Sequence, residues 1–393
     1  MLIGFVAGAY YQRKIYLSAL NMNAFFSFDP SNSVVELIDV FEKEALYPWL
    51  HLDGVLRQNK LWLTPMQAKH VACIALDTGT IAYYNIDCRR QFAKDNLFHG
   101  TFAVGKNMYL IPYQTDTLLQ VDTETNVISA LGYADFDLRN LSKGMCFCDG
   151  EIKFAAVDGE LRSRLDIEQK CIKKLTNSPL EFNGYRSTLQ TETDVWMIPF
   201  EGEEIKRYNL QNGTWTYIRL ENKKDTFYRG MDLGAFVIFF PGGECRNFVV
   251  IRKKDNAMHT INDAFQGAAD NFLMGFHGWF EMNRIPSDAG YWASSNDGFI
   301  FEFSTMGEII HTYHINIEKS DLKSSLQEKY QKKNISMGFD SQYIHVENDI
   351  IGLDELTDYV VYDKSNTFGE EKSEILQREV HRKWTDMLRV LCR

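Results

Sequence analysis

Apolar and polar positions along the chain follow the two-residue period of extended strands over short stretches, and those stretches come in matched pairs. Residues Asn107 to Asn126 are the clearest case. Two strand-like runs, Met108–Ile111 and Thr117–Val121, are parted by Pro112 and a polar turn, and Asp122 closes the second run. The same pattern, an apolar run, a polar residue and a turn rich in Asx, Gly, Thr or Ser, recurs at Asp29, Asp77, Asp166, Asn209 and Arg252. Weaker copies stand at Ser304 and Asp363. Successive spacings are 48, 45, 44, 43, 43, 52 and 59 residues. The strand before it repeats in its own register, ending at Pro65, Pro112, Ala156, Pro199 and Pro241, with spacings of 47, 44, 43 and 42. Two registers sharing one period predict a tandem array of a single supersecondary unit.

Each unit has room for a four-stranded sheet: an inner strand, the strand ending at proline, the strand ending at the Asx position, and an outer strand such as Val127–Leu131. Proline at a strand end costs no ladder hydrogen bond. Asp, Asn and Thr after the third strand supply side-chain-to-backbone turn chemistry. One such sheet cannot bury both its faces, whereas stacked sheets closed into a ring can. No segment alternates strand, helix and strand. The sequence thus resembles the β-propeller superfamily over nearly the whole chain. It lacks the Gly-His and Trp-Asp pattern of WD40 repeats, and the double glycine of kelch repeats occurs once, at Gly242–Gly243. The resemblance implies an all-β propeller of seven to eight four-stranded blades. Eight units are counted, or seven if the first and last copies share a blade.

Two stretches break the period, Ile261–Gly290 and Ile315–Lys333, and in the second Ser320 is a candidate N-cap before a polar helix. The C-terminal residues Glu370–Cys392 leave the strand pattern. They place Leu376, Val380, Trp384, Met387, Leu388 and Leu391 on one face of an amphipathic helix, which either packs on the propeller rim or docks a partner. The expected organisation is a propeller over residues 1–368 and a C-terminal helix over 369–393.

Composition narrows the functional classes. The 393 residues are 45% hydrophobic and carry a net charge of −11, which argues against a general nucleic-acid binder. No window approaches the 18 or so apolar residues of a membrane span, and the chain reads as a cytoplasmic protein. The seven cysteines are an odd number without framework spacing. Even the close pair Cys146 and Cys148 has no second pair at zinc spacing, so free thiols are expected.

Candidate chemistry follows from the register. Propeller ligands bind in the funnel around the central channel, at the loops entering the inner strands and the turns between second and third strands. Twelve to fourteen residues before the proline register stand His51, Asp53, His99, Lys143, Arg186, Tyr228 and Arg229, and His277 falls similarly in a longer unit. The second-to-third-strand turns add Gln67, Gln114, Asp158, Glu201, Glu244 and Asp297. The strongest ligand-binding candidates are His51, Asp53, His99, Gln114, Arg186, Glu201, Arg229 and His277, a polar funnel for a charged or sugar-like ligand. The competing reading is that these side chains satisfy backbone groups and water around the channel. His51, His99 and His277 could bind a metal ion only if they converged, which units separated around a ring are not expected to do, and no cofactor is expected. No phosphate loop, nucleophile elbow or zinc-protease motif is present. Asn283–Pro286 and Asn212–Trp215 resemble fragments of sialidase motifs, each single and out of place. The expectation is a non-enzymatic binding or scaffold propeller for a protein partner or a glycan-like ligand. The alternative is a lyase or hydrolase acting on a sugar or glycoconjugate through His99, His277, Arg186 or Arg229.

Overall fold

The structure, a computed structural model, describes residues 3–20, 22–44, 49–88, 97–112, 115, 117–133, 141–148, 151–156, 161–166, 171–174, 185–199, 203–220, 227–241, 247–262, 279–281, 291–295, 298–315, 317 and 319–333. The chain divides into two compact units, one of Ile3–Asn316 and one of Met1–Leu2 with Ile317–Arg393.

The larger unit is a succession of antiparallel meanders. The first comprises β1 (Phe5–Tyr11), β2 (Lys14–Ala19), β3 (Phe25–Asp29) and β4 (Val34–Asp39), and the second β5 (His51–Arg57), β6 (Lys60–Pro65), β7 (His70–Ala75) and β8 (Thr80–Asn85). The third is β9 (Phe98–Val104), β10 (Asn107–Pro112), β11 (Thr117–Asp122) and β12 (Val127–Tyr133). Then follow β13 (Leu141–Cys148), β14 (Glu151–Ala156), β15 (Leu161–Asp166) and β16 (Cys171–Lys174). The next group is β17 (Tyr185–Gln190), β18 (Asp194–Pro199), β19 (Glu204–Asn209) and β20 (Trp215–Arg219). After it come β21 (Phe227–Asp232), β22 (Phe236–Pro241), β23 (Phe248–Arg252) and β24 (Met258–Ile261). The last described group is β25 (Trp279–Glu281), β26 (Tyr291–Ser295), β27 (Phe299–Phe303) and β28 (Ile309–His314). First strands neighbour one another in the closed order β1, β5, β9, β13, β17, β21, β25 and back to β1. The protein is a β-propeller.

The described strands form six sheets, where seven to eight separate blades were expected. Five have four strands; the sixth has eight, because one parallel backbone pair, Lys143 with Ser187, joins β13 to β17 and merges two meanders. The eighth repeat copy, at Asp363, and the amphipathic stretch Glu370–Cys392 lie outside the described residues. Among the described residues, the first sheet is built by β1–β4 and the last by β25–β28, and no described strand is shared between them.

Burial sorts the strands by place. β10 and β22 are buried after their first residue, and β18 is buried throughout, whereas no residue of β4 is fully buried. A strand between two neighbours buries both parities. In β22, Val237 and Phe239 pack with Trp196 and Ile205 of the preceding meander. Ile238 and Phe240 pack with Phe299, Phe301 and Phe303 of the following one. In β6, Leu61 and Leu63 face the first meander, and Trp62 packs with Met108 and Leu110 of the third. This explains why FVIFFP reads as a continuous apolar run.

The Asx turns form as the repeat predicts. Asp122 Oδ1 accepts the backbone N–H groups of Glu124 and Thr125, both at 3.0 Å. The Thr125 N–H and then the Lys106 ammonium hold its carboxyl down at about 2. Asn209 and Asp29 accept in the same way from Gln211 and Ser31. In the second meander Ala75, not Asp77, occupies the paired position, opposite Thr80. Asp77 stands in the turn and accepts the Tyr11 hydroxyl of the first meander at 2.8 Å. Lys60 to Asn126 at 3.2 Å and Arg207 to the Lys253 carbonyl at 2.6 Å tie other neighbours together. The helix α1 (Lys319–Lys332), in the smaller unit, begins one residue before the N-cap expected at Ser320. Its Leu322, Leu326 and Tyr330 are buried at helical spacing.

The seam between first and last meanders is aromatic. Tyr10 stacks on Trp292 at 5.7 Å, Trp292 on Tyr313 at 6.0 Å, and Tyr313 meets the edge of Phe28 at 5.0 Å. Gly298, at φ +82°, abuts the N-terminal backbone so closely that a Cβ would lie 2.9 Å from the Ile3 carbonyl oxygen. Trp292→Ala is expected to cost about 3–5 kcal/mol, as large-to-small changes of buried aromatics do. Gly298→Ala should lower the urea midpoint as well. An unchanged midpoint for both variants would show that the seam does not hold the ring.

Candidate functional site

The entrance to each inner strand is set by one local device. In β1, β5, β9, β17 and β21 the pairing with the second strand shifts by one residue near the proline register. Such a bulge bends the strand and re-aims the next side chains. In β5 the shift lies between His51 and Asp53; in β21 it lies between Phe227 and Arg229. Asp53 and Arg229 therefore occupy the same register position on different strands.

These two residues meet. Arg229 Nη2 lies 3.2 Å from Asp53 Oδ2 and Nη1 lies 3.5 Å from Oδ1, a parallel fork. Their side chains keep only 16% and 10% of their exposure. Asp53 Oδ1 also accepts the Gly54 N–H at 3.0 Å. Gly54 itself is a close-approach position: a Cβ there would lie 3.4 Å from that of Ala7 on β1. Strands β5 and β21 are not neighbours, so the ion pair runs across the ring of first strands. Ser187 holds the same register position on β17, and Lys143 pairs with it through the backbone.

His51 lies on the far side of the bulge and is fully buried. Its Nδ1 is 3.1 Å from Ser18 Oγ, and its ring meets Phe41 edge-on at 4.4 Å, both in the first meander or the connection after it. Nε2 has no hydrogen-bond partner. Burial pushes the imidazole down to about 3, so the ring is neutral. The backbones of His99 and Arg186 lie in β9 and β17, beside the corresponding bulges, and their side chains lie outside the described residues, as do Gln114, Glu201 and His277.

Sequence reasoning passed over Glu44. It lies buried in the connection between first and second meanders and accepts the backbone N–H groups of Lys69 and His70 at 2.6 and 3.0 Å, and His70 Nδ1 at 2.8 Å. Burial raises its carboxyl above the ordinary value, against the pull of those hydrogen bonds. Asn23 holds the same connection through the Phe41 N–H and carbonyl, at 2.7 and 3.0 Å. No periodic signal marks Glu44, because its partners are backbone groups of a distant turn. Among the described residues no cluster of His, Cys, Asp and Glu is built to hold a metal ion. Cys73 is a buried thiol, and burial pushes it up to about 12. No described helix is long and apolar enough to cross a membrane.

No family model matches the chain, and no curated protein does. Solved structures do. A virginiamycin B lyase from Staphylococcus aureus, inactivated by a histidine-to-alanine change and solved with quinupristin, aligns at a TM-score of 0.55 and 12% identity. The alignment covers 76% of this chain and 94% of that one. PorZ, a surface component of the type-IX secretion system of Porphyromonas gingivalis, gives 0.55 at 11% identity, over 81% of this chain and 39% of PorZ. YCF48 bound to a D1 peptide gives 0.53 at 11% identity, over 76% and 92%. At such identities the likeness is one of fold, and it places the chain among β-propellers.

His51 generates a pH prediction. Between about 3 and the ordinary value of 6.5 the unfolded chain binds a proton that the folded site refuses, so stability rises with pH through that window. The slope from this group reaches about 1.4 kcal/mol per pH unit. His51→Phe should flatten urea-unfolding free energy between pH 6.5 and 4 relative to wild type. Parallel curves for the two proteins would mean that His51 takes up its proton in the folded state.

Proposed function

We propose that the chain is a non-enzymatic binding propeller whose polar channel level receives a protein or glycan-like ligand. The Asp53–Arg229 fork carries this reading. Both oxygens of Asp53 face Arg229, and one also takes the Gly54 N–H, so the carboxylate is committed to hydrogen bonds rather than poised for proton transfer. A partly buried fork suits recognition, since Arg offers planar, bidentate geometry to an incoming group. The solved structures of similar fold include a peptide complex and a secretion-system component, in keeping with binding, and also a lyase.

Calorimetric titration against a panel of acidic and neutral oligosaccharides and peptides tests this. The expected result is saturable binding by one class, with the ligand recovered intact after prolonged incubation. New reducing ends or unsaturated sugar products would replace the binding reading with the alternative, a propeller hydrolase or lyase.

A further inference from the structure

We propose that Asn212 is a site of spontaneous modification, converted through a cyclic imide with Gly213 to an aspartate that the fold accommodates, and that the folded turn slows the conversion. The turn belongs to a series. Asp29, Ala75, Asp122, Asn209 and Arg252 stand opposite Val34, Thr80, Val127, Thr214 and Ala257 where third and fourth strands join. The residue before each of these partners is left-handed: Ser33, Gly79, Asn126, Gly213 and Asn256, at φ +58°, +70°, +60°, +68° and +58°. One residue earlier, a side-chain oxygen accepts the partner's N–H: Asn32 at 3.0 Å, Thr78 at 3.3 Å, Asn212 at 3.0 Å and Asp255 at 3.1 Å.

Among these turns Asn212 alone joins a carboxamide to a following glycine, whose nitrogen no side chain shields. Residues 211–214 are exposed, so water and hydroxide reach them. The Gly213 nitrogen gives its proton to hydroxide and attacks Asn212 Cγ. The new C–N bond closes a succinimide ring as ammonia leaves with a proton from water. Water then opens one or other carbonyl, giving aspartate or isoaspartate.

Three hydrogen bonds oppose the attack. The Gly213 N–H donates to the Asn209 carbonyl at 3.0 Å. The Asn212 carboxamide oxygen accepts the Thr214 N–H at 3.0 Å and the Thr214 hydroxyl at 2.6 Å. Nitrogen and Cγ are freed only when the turn opens locally, so the opening equilibrium scales the rate. The two products then differ. Aspartate keeps an oxygen for Thr214, and Asp255 already serves in that place in the sixth meander. Isoaspartate lengthens the backbone by a methylene and strains the pairing of Asn209 with Thr214.

The test incubates the full chain at mildly alkaline pH, folded and in urea, and follows residue 212 by peptide mapping. Mapping also separates it from the other Asn-Gly pair, Asn183–Gly184, which lies outside the described residues. Conversion at Asn212 should occur in both states and run slower in the folded one. Thr214→Val removes the hydroxyl donor and keeps the branched shape and the N–H. It should speed folded-state conversion about fivefold, the factor that one net hydrogen bond sets on local opening. Thr214→Ser, which keeps the hydroxyl, should convert at the wild-type rate, and in urea all three chains should convert alike. Asn212→Asp should keep the wild-type thermal midpoint. Thermal unfolding checks each fold, and if Thr214→Val does not fold, the folded-to-urea ratio and the Asn212→Asp midpoint carry the test. Folded conversion as fast as in urea overturns the proposal, as does none in the folded chain while the urea-treated chain converts fully. Equal rates for Thr214→Val and wild type, or a lowered midpoint for Asn212→Asp, overturn it too.

Discussion

Every inner sheet of this protein must bury both of its faces, and the rest of the architecture answers to that demand. A lone four-stranded meander has two apolar faces and nowhere to put them. Odd and even residues of β22 go to opposite neighbours, and the pattern repeats in β6. Neighbour must follow neighbour until the last meets the first. At that junction Tyr10, Trp292, Tyr313 and Phe28 join the first and last described meanders by buried area and ring geometry. Gly298 allows the two backbones to come that close.

Much of this was legible in the sequence because it depends on local chemistry. Proline at the end of the second strand and an Asx side chain closing the third are decided within a few residues, and Pro65, Pro112, Asp29, Asp122 and Asn209 all behave so. Misplacement came where two residues compete for one role. Asp77 has the right chemistry for the turn, yet Ala75 holds the paired position, and Asp77 takes the Tyr11 hydroxyl instead. The joining of β13 to β17 depends on one backbone pair 44 positions apart, for which no side-chain pattern exists.

The site shows the same division. Spacing from proline located the entrance to each inner strand, but a window of two or three residues straddles the bulge. His51 and Asp53 fall in one window and meet different fates: the first is sealed against Phe41, the second is aimed at Arg229. The Asp53–Arg229 contact spans 176 positions and follows only from ring closure, which periodicity implies without fixing the distance across.

The low identity to other propellers is a consequence of where the constraints lie. Alternation, turn residues and close packing fix the sheets and admit many sequences, so 11–12% identity suffices for a shared fold. Channel side chains carry no such duty. Between β5 and β21 stand β25 and β1 on one side and β9, β13 and β17 on the other, the widest separation that this ring of first strands permits. A bridge so placed adds little to packing between neighbours, because it lies in no seam. An ion pair that partly leaves water also recovers little net stability. That position is in keeping with the binding role proposed above.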